Sequence, residues 1–164
     1  METRRAVVVR LRGLTFAAKG DSNHWVVMDG PASFGGSEAA PRPIELLLVA
    51  LGGCTASDVA SILDKKRMDV RDLRVELRAE VNDEHPRTFR SVHIEYVVTG
   101  NAVDRHHVER AVELSTTKYC PIIAMLQPNV VVTHTCRINE VGDTHSENVI
   151  VDSSADVSLA GQTT

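Results

Sequence analysis

The sequence predicts an α+β protein in which antiparallel sheets pack on helices. Three observations carry this prediction: strand-like segments in which apolar and polar residues alternate, one long apolar segment of helical length, and two adjacent strand-like segments joined by a short turn. The chain of 164 residues is long enough for one domain with a buried core. Aromatic residues make up only 4% of it, so aliphatic side chains must form most of that core.

Three strands are predicted near the amino terminus. Apolar residues alternate with arginines in residues 7–12, which predicts a strand with one solvent-exposed face. Residues 15–18 can pair with this strand, and the segment HWVVMDG predicts a third strand that ends in a turn. The next segment, GPASFGGSEAAPRP (residues 30–43), is rich in Gly, Pro, Ser and Ala and predicts a loop.

A long helix is predicted from Pro43 to about Lys66. Proline is tolerated in a first helical turn, and the basic sequence DKKR suits the carboxyl end of the helix dipole. The apolar run of residues 44–51 is much shorter than the roughly 20 residues that span a membrane, so we expect a buried helix. Two glycines then precede Cys54, and each costs a helix about 1 kcal/mol relative to Ala. Their missing side chains permit a close backbone approach or an open pocket beside the thiol.

A β-hairpin is predicted after this helix. In residues 73–81 apolar side chains alternate with charged ones, which predicts a half-buried strand. The segment NDEHPRT turns the chain, and residues 91–98 alternate in the same way. Adjacent strands joined by a short turn favour antiparallel pairing.

Two helices and a strand complete the predicted order. Asn101 or Asp104 can cap a second helix, whose inner face has the spacing i, i+3, i+4, i+7 at Val108, Ala111, Val112 and Ser115. A short third helix is expected to start at Cys120–Pro121 and to end by Pro128. The segment NVVVTHTCRINE predicts the last strand.

The charge distribution divides the chain into a neutral body, residues 1–140, and an acidic polar tail, residues 141–164. The tail has four Asp and Glu residues and no Lys or Arg, whereas the body has equal numbers of acidic and basic residues. Neither part has the basic footprint of a protein that binds nucleic acid or an anionic membrane. We expect the tail to be poorly ordered. The amino terminus lacks the features of a signal peptide, so we expect a cytoplasmic protein.

Three cysteines in a reducing compartment indicate chemistry, metal binding or core packing rather than structural disulfides. Cys120 is predicted at the N-cap of the third helix with Lys118 nearby, which favours a thiolate, although a buried junction residue fits equally well. Cys54 lies in an apolar helix and by itself favours core packing. Cys136 is expected to pack on the sheet.

Other kinds of site have weaker support in the sequence. No CxxC, HxxxH or other zinc-like spacing is present, and the adjacent His106 and His107 point in different directions on a helix. A cysteine protease would need a local signature that the sequence lacks. The segment FGGSEAA has neither the lysine nor the preceding strand of a phosphate-binding loop. We therefore expect no metal and no bound cofactor.

Two segments taken together, PRPIELLLVALGGCTASDV and KYCPIIAML, resemble the OsmC/Ohr family of thiol-dependent hydroperoxide reductases. The similarity is greatest to its YhfA-like OsmC branch, in which P-x-E-L precedes G-G-C and K-Y-C precedes M-L. Cys54 and Cys120 are 66 positions apart, as the family pattern requires. The resemblance extends over about residues 20–140 and leaves the acidic tail outside it.

The resemblance implies an intertwined homodimer with antiparallel sheets wrapped around central helices and with cysteine sites at the subunit interface. It also implies an organic hydroperoxide reductase in which Cys54 is the peroxidatic nucleophile and Cys120 resolves its sulfenic acid as a disulfide. An external thiol or dithiol would then reduce this disulfide, and no cofactor would be required. Position alone favours Cys120 as the more acidic thiol, whereas the resemblance makes Cys54 the nucleophile.

Two positions depart from the family pattern. Peroxidase members have Glu directly after the proline that opens the helix, where this chain has Ile44, and Glu45 follows about 100° further round the helix. Their activating Arg aligns with Phe34, and Arg42 or an arginine of a partner subunit could replace it. A thiol without a cationic neighbour in an apolar site reacts slowly. The alternative function is therefore a dimeric redox sensor or small-ligand-binding protein with little turnover, and a third is a structural dimer with inert cysteines.

Overall fold

A computed structural model describes residues 2–142 of the chain. The predicted acidic tail lies outside the described residues from residue 143 onward. The described elements follow the predicted order and are, along the chain, β1 (Ala6–Arg12), β2 (Thr15–Gly20), β3 (Trp25–Met28), α1 (Pro43–Lys65), β4 (Asp69–Val81), β5 (Phe89–Asn101), α2 (Arg105–Leu114), α3 (Pro121–Leu126) and β6 (Val131–Glu140). A single 3₁₀ turn at Ala32–Phe34 and a π-helix at Ser115–Tyr119 are additions to the predicted elements.

The strands form two three-stranded sheets, in the orders β1-β2-β3 and β4-β5-β6. The first sheet and the β4–β5 hairpin are antiparallel, as predicted. The expectation of purely antiparallel sheets is wrong for β6, which runs parallel to β5 and places Cys136 opposite Tyr96. After β5 the chain crosses over through α2, the π-helix and α3 before it enters β6. A crossover of this length returns the chain to the starting end of the sheet, which parallel pairing requires.

The hydrophobic core lies between the second sheet, α1 and α2. The alternation predicted for β5 is confirmed, because its inward residues Val92, Ile94, Tyr96 and Val98 are fully buried. The predicted inner face of α2 is also confirmed, with Val108, Ala111, Val112 and Ser115 fully buried. Of the two predicted capping residues, Asp104 is the N-cap, and its side chain accepts a hydrogen bond from the backbone N–H of His106 at 2.8 Å.

The first sheet contributes little to this core. Every residue of β1 is exposed, although the sequence predicts only one exposed face. Trp25 on β3 is 54% exposed. Alternation indicates that a strand has an apolar face, but nothing within the described residues of the single chain covers that face.

The long helix α1 is buried along one stripe only, at Leu51, Gly52, Thr55, Val59 and Leu63. The expectation of a buried helix holds for this stripe of the single chain, whereas apolar residues such as Val49 (66% exposed) face outward. By length and composition alone α1 could cross a membrane, a criterion that the core helix of a soluble protein also meets.

The segment between β3 and α1 is organised by one buried carboxylate. Asp29 accepts hydrogen bonds from the hydroxyl of Ser37 at 2.7 Å and from the backbone N–H groups of Gly30, Ser37 and Ala39. These donors, the Ser37 hydroxyl above all, lower the pKa of Asp29 to about 2. The predicted loop therefore holds a defined course up to the start of α1.

Candidate functional site

The two cysteines that the sequence singles out lie side by side. Cys54 is half-buried on the fourth turn of α1, and Cys120 is buried at the N-cap of α3. The Cys120 thiol lies 3.1 Å from Cys54 Sγ, as a hydrogen-bond donor to it. Two free thiols this close can be joined by a disulfide after a small movement of the sulfur atoms. The catalytic roles of both residues stay predictions.

A π-helix brings Cys120 to this position. Residues Ser115–Tyr119 extend α2 by one wide turn, and the backbone N–H of Cys120 donates to the carbonyl of Ser115 at 2.9 Å. Proline at 121 cannot donate a backbone hydrogen bond, so α2 ends here and α3 begins with its N-cap at Cys120. Single π-turns within α-helices occur frequently at functional sites.

A buried chain of hydroxyl groups runs from the core to the edge of the cysteine pair. Ser115 Oγ donates to Asp58 Oδ2 at 2.9 Å. Since Ser115 has one hydroxyl hydrogen, it accepts in its 2.8 Å bond with Thr55, which then accepts from Tyr96. All three donors are fully buried and point along one direction, towards the Asp58 carboxylate.

The surroundings of Cys54 favour the neutral thiol. Burial, together with the neighbouring Cys120 and Asp58, raises the pKa of Cys54 to about 11, against a smaller opposing effect of the Ile122 backbone. Among residues 2–142, no lysine or arginine opposes this rise. Lys118, which the sequence places near Cys120, lies over the ring of Tyr119, with Nζ 5.3 Å from the ring centroid.

The two glycines before Cys54 have different surroundings. A Cβ atom on Gly52 would lie 2.7 Å from Leu77 Cδ1, so Gly52 permits α1 to approach β4 closely. A Cβ atom on Gly53 would meet no atom within 4 Å. The structure thus contains both arrangements that the sequence allowed, the close approach at Gly52 and open space at Gly53.

The predicted supporting residues lie away from the cysteines within one chain. Glu45 Oε2 accepts from the backbone N–H of Arg42 at 2.9 Å and so caps the start of α1. The Arg42 guanidinium lies 3.5 Å from Glu38, and Phe34 is 75% exposed. Cys54 follows Glu45 by nine positions on the helix, a rise of about 13.5 Å. Their predicted role in tuning Cys54 remains untested.

Cys136 has the predicted packing role. It is half-buried on β6, contacts the core, and lies apart from the cysteine pair. Burial raises its pKa.

Asp58 is the member of the site that sequence reasoning passed over. One turn after Cys54 on α1, it presents a carboxylate oxygen that lies, with the two sulfur atoms, in a cluster whose members are within 4.8 Å of one another. The sequence shows Asp58 only as a polar residue in an apolar helix. Ser115, at a core position of the predicted second helix, was the feature that could have revealed this role of Asp58, because a buried hydroxyl requires a hydrogen-bond acceptor.

Comparison with known proteins places this arrangement among related sequences. A family model described as OsmC-like protein matches residues 35–135, which include both cysteines of the pair. Protein YhfA of Escherichia coli K12 is 41% identical over 134 residues, which cover 82% of this chain and 97% of YhfA.

Solved structures show the same fold. The crystal structure of a hypothetical protein from Aquifex aeolicus VF5 is 31% identical, with a TM-score of 0.75 over 85% of this chain and 98% of that one. An organic hydroperoxide resistance protein OsmC from Legionella pneumophila shares the fold at 16% identity, with a TM-score of 0.63 over 84% of this chain and 98% of that one.

Proposed function

Since the chain belongs to the OsmC-like protein family, we propose that it reduces organic hydroperoxides with Cys54 and Cys120 as its redox pair. The observation that carries the proposal is the 3.1 Å separation of the two free sulfur atoms. The family includes proteins named for organic hydroperoxide resistance, which makes hydroperoxides the substrate class to test.

The reaction has three steps. The Cys54 thiolate attacks one peroxide oxygen, the O–O bond breaks, and the alkoxide leaves as an alcohol after it takes up a proton; Cys54 becomes a sulfenic acid. Cys120 then attacks the Cys54 sulfur, a disulfide forms, and water leaves. Two external thiols, or one dithiol of the reducing cytoplasm, restore both cysteines and are themselves oxidised to a disulfide.

The position of Cys120 supports the resolving step. Its sulfur already touches Cys54 and sits on the first residue before a separate short helix, so it can follow Cys54 without unfolding α1. Resolution within one chain therefore requires only a local adjustment of the N-cap.

A second candidate function is a redox sensor or ligand-binding protein of the same fold with little turnover. The raised pKa of Cys54 favours it, because only a small fraction of this thiol is ionised at neutral pH. This candidate predicts that peroxide converts the pair to a disulfide once, without sustained consumption of an external thiol.

The functional unit in this proposal is a homodimer. Its support is the apolar surface left open on one chain, at Val7, Val8, Val9, Leu11, Trp25, Val26 and Val27 of the first sheet and at Ile44, Leu47 and Val49 of α1. Exposed apolar surface of this extent marks an interface rather than a monomer surface. A second copy would cover both regions, and it accounts for an apolar α1 without a membrane.

The dimer is tested by analytical ultracentrifugation of the full chain without detergent. Val9→Asp places a charge in the middle of β1, an edge strand of the first sheet, and we expect it to shift the protein towards the monomer. Asp83→Ala, in the exposed turn between β4 and β5, is the matched control and should leave the dimer intact. A monomeric wild-type protein would contradict the proposal.

The peroxidase reaction is tested by peroxide consumption in the presence of a dithiol. Cys54→Ser should abolish turnover, and Cys120→Ser should stop the reaction at the sulfenic acid of Cys54. Cys136→Ser is the matched control, because Cys136 is a half-buried thiol outside the pair and its loss should leave turnover unchanged. Wild-type turnover in Cys54→Ser would refute the proposal.

A further inference from the structure

We propose that the reduced pair of Cys54 and Cys120, together with Asp58, is a binding site for a thiophilic divalent metal ion such as Zn²⁺. The inference goes beyond the proposed reaction and does not depend on it, since metal binding consumes no peroxide. It rests on the convergence of three ligating side chains, with their sulfur and oxygen atoms all within 4.8 Å of one another.

The ligand set suits zinc. Two thiolates and one carboxylate are ligands that Zn²⁺ accepts, and three protein ligands leave a fourth tetrahedral position for water or for an exogenous thiol. Tetrahedral bonds of ordinary length would hold the two sulfur atoms about 3.8 Å apart. They are 3.1 Å apart in the thiol pair, so binding requires them to separate by less than an ångström.

The hydroxyl chain supports the carboxylate ligand. Ser115 donates to Asp58 Oδ2 and accepts from Thr55, which in turn accepts from Tyr96, and all three hydroxyl groups lie in the buried core. Metal-ligating carboxylates in proteins are oriented by hydrogen bonds of this kind. The proposed peroxide chemistry assigns no task to this chain, whereas a metal site gives it one.

The charges around the site favour a soft cation. Three groups that are anionic in the metal-bound site converge here, and no lysine or arginine among residues 2–142 acts on Cys54. Asp58 also lines a cavity of about 440 Å³ that opens to solvent beside Lys65 and Lys66. These lysines disfavour ions that are held by charge alone, such as Mg²⁺, while zinc gains its affinity from the thiolates.

Metal binding and disulfide formation exclude each other. Each bound ion replaces the hydrogens of two thiols, and the two protons pass to solvent without any change of oxidation state. A metal-bound Cys54 has its sulfur electron pair engaged and is protected from peroxide. The oxidised pair has no thiolate to offer, so oxidation releases the ion.

The experiment uses the reduced full-length protein and Co²⁺ as a spectroscopic probe, with Zn²⁺ as the competitor. We expect one ion per chain, an intense thiolate-to-cobalt absorption band, and its loss when Zn²⁺ is added. Cys54→Ala and Cys120→Ala should each abolish the band. Asp58→Ala should keep the absorption of the two thiolates at saturation but weaken binding by more than about tenfold.

The matched control is Cys136→Ser, which should bind as the wild type does. Loss of the band in this variant would place the ion at the separate polar cavity formed by Cys136, His106, His134 and Glu109 and would overturn the proposal. Wild-type affinity in Asp58→Ala would overturn it as well.

Two further measurements keep the test independent of folding and of turnover. Wild-type protein oxidised to the disulfide has the same sequence, and it must fail to bind the probe even if a cysteine variant does not fold. Alkylation of Cys54 must slow when Zn²⁺ is bound and recover when a chelator removes it. If no peroxide turnover is found, all of these expectations still hold; if no metal binds, the peroxidase proposal is untouched.

Discussion

Replacement of Gly53 by alanine should stabilise the protein, although Gly53 is next to the proposed nucleophile. Gly53 lies inside α1, and a Cβ atom there meets nothing within 4 Å. Alanine is about 1 kcal/mol more favourable than glycine inside a helix. With no steric cost against this gain, we expect the free energy of unfolding to rise by about 1 kcal/mol.

The neighbouring Gly52→Ala variant is the matched comparison. It has the same helical gain, but its Cβ atom lies 2.7 Å from Leu77 Cδ1. Excess volume in a packed region costs about 1–3 kcal/mol, and Leu77 is only half-buried, so its side chain can turn aside at the lower end of that range. We expect Gly52→Ala to be close to neutral, about 1 kcal/mol less stable than Gly53→Ala.

Urea unfolding followed by circular dichroism measures both variants, at one fixed protein concentration because a dimer makes stability concentration-dependent. Leu77→Val supplies the mechanistic check: in its background Gly52→Ala should become stabilising, since valine lacks the Cδ1 atom that the new Cβ would meet. Equal stability of the two alanine variants would refute the steric reasoning. A destabilised Gly53→Ala would refute the inference that the space beside Gly53 is open.

Cys54, the hydroxyl chain and Asp29 each give a further testable prediction. Because burial raises the pKa of Cys54, its alkylation rate should keep rising above pH 9.0 and level off only near pH 11, the value of about 11 being its pKa. Mass spectrometry of the Cys54 peptide measures this rate, and a plateau below pH 9.0 would contradict the prediction. Tyr96→Phe removes only the first donor of the hydroxyl chain and should lower the free energy of unfolding by about 1 kcal/mol. Ser115→Ala deprives both Thr55 and Asp58 of a hydrogen-bond partner and should lower it by up to about 3 kcal/mol. Equal losses of stability in urea unfolding would argue against the hydroxyl chain. The lowered pKa of Asp29 stabilises the fold above pH 3.8, and this contribution is lost as the pH falls towards 2. Asp29→Asn should therefore be less stable than the wild type at neutral pH, and its free energy of unfolding should change less between neutral pH and pH 2. An acid unfolding curve identical to that of the wild type would refute this role of Asp29.

Local patterns predicted the elements that depend on local sequence. The alternation of β5 and the length of α1 are written in consecutive residues, and both are found close to the predicted positions. The direction of β6 was predicted wrongly because it depends on where a long crossover returns to the sheet, which no local pattern records. The exposure of β1 was missed for a related reason: alternation shows an apolar face but not whether the same chain covers it.

The candidate site was likewise predictable from the sequence only in part. Cys54 and Cys120 could be paired from the sequence only through family resemblance, since 66 residues separate them. Asp58 joins them through the geometry of α1 and through a serine on a different helix. Motif searches find metal ligands that are near one another along the chain, whereas Cys120 is far along the chain from both Cys54 and Asp58.

The π-helix at Ser115–Tyr119 also determines where the chain can change in length. Removal of one residue there would return the segment to ordinary helical spacing and rotate everything after it by about 100°. Cys120 would then face away from Cys54 although every core residue was still present. A residue added to the exposed turn at 82–88 leaves both helices where they are, so insertions and deletions should be tolerated in that turn and should separate the two thiols when they fall in the π-helix.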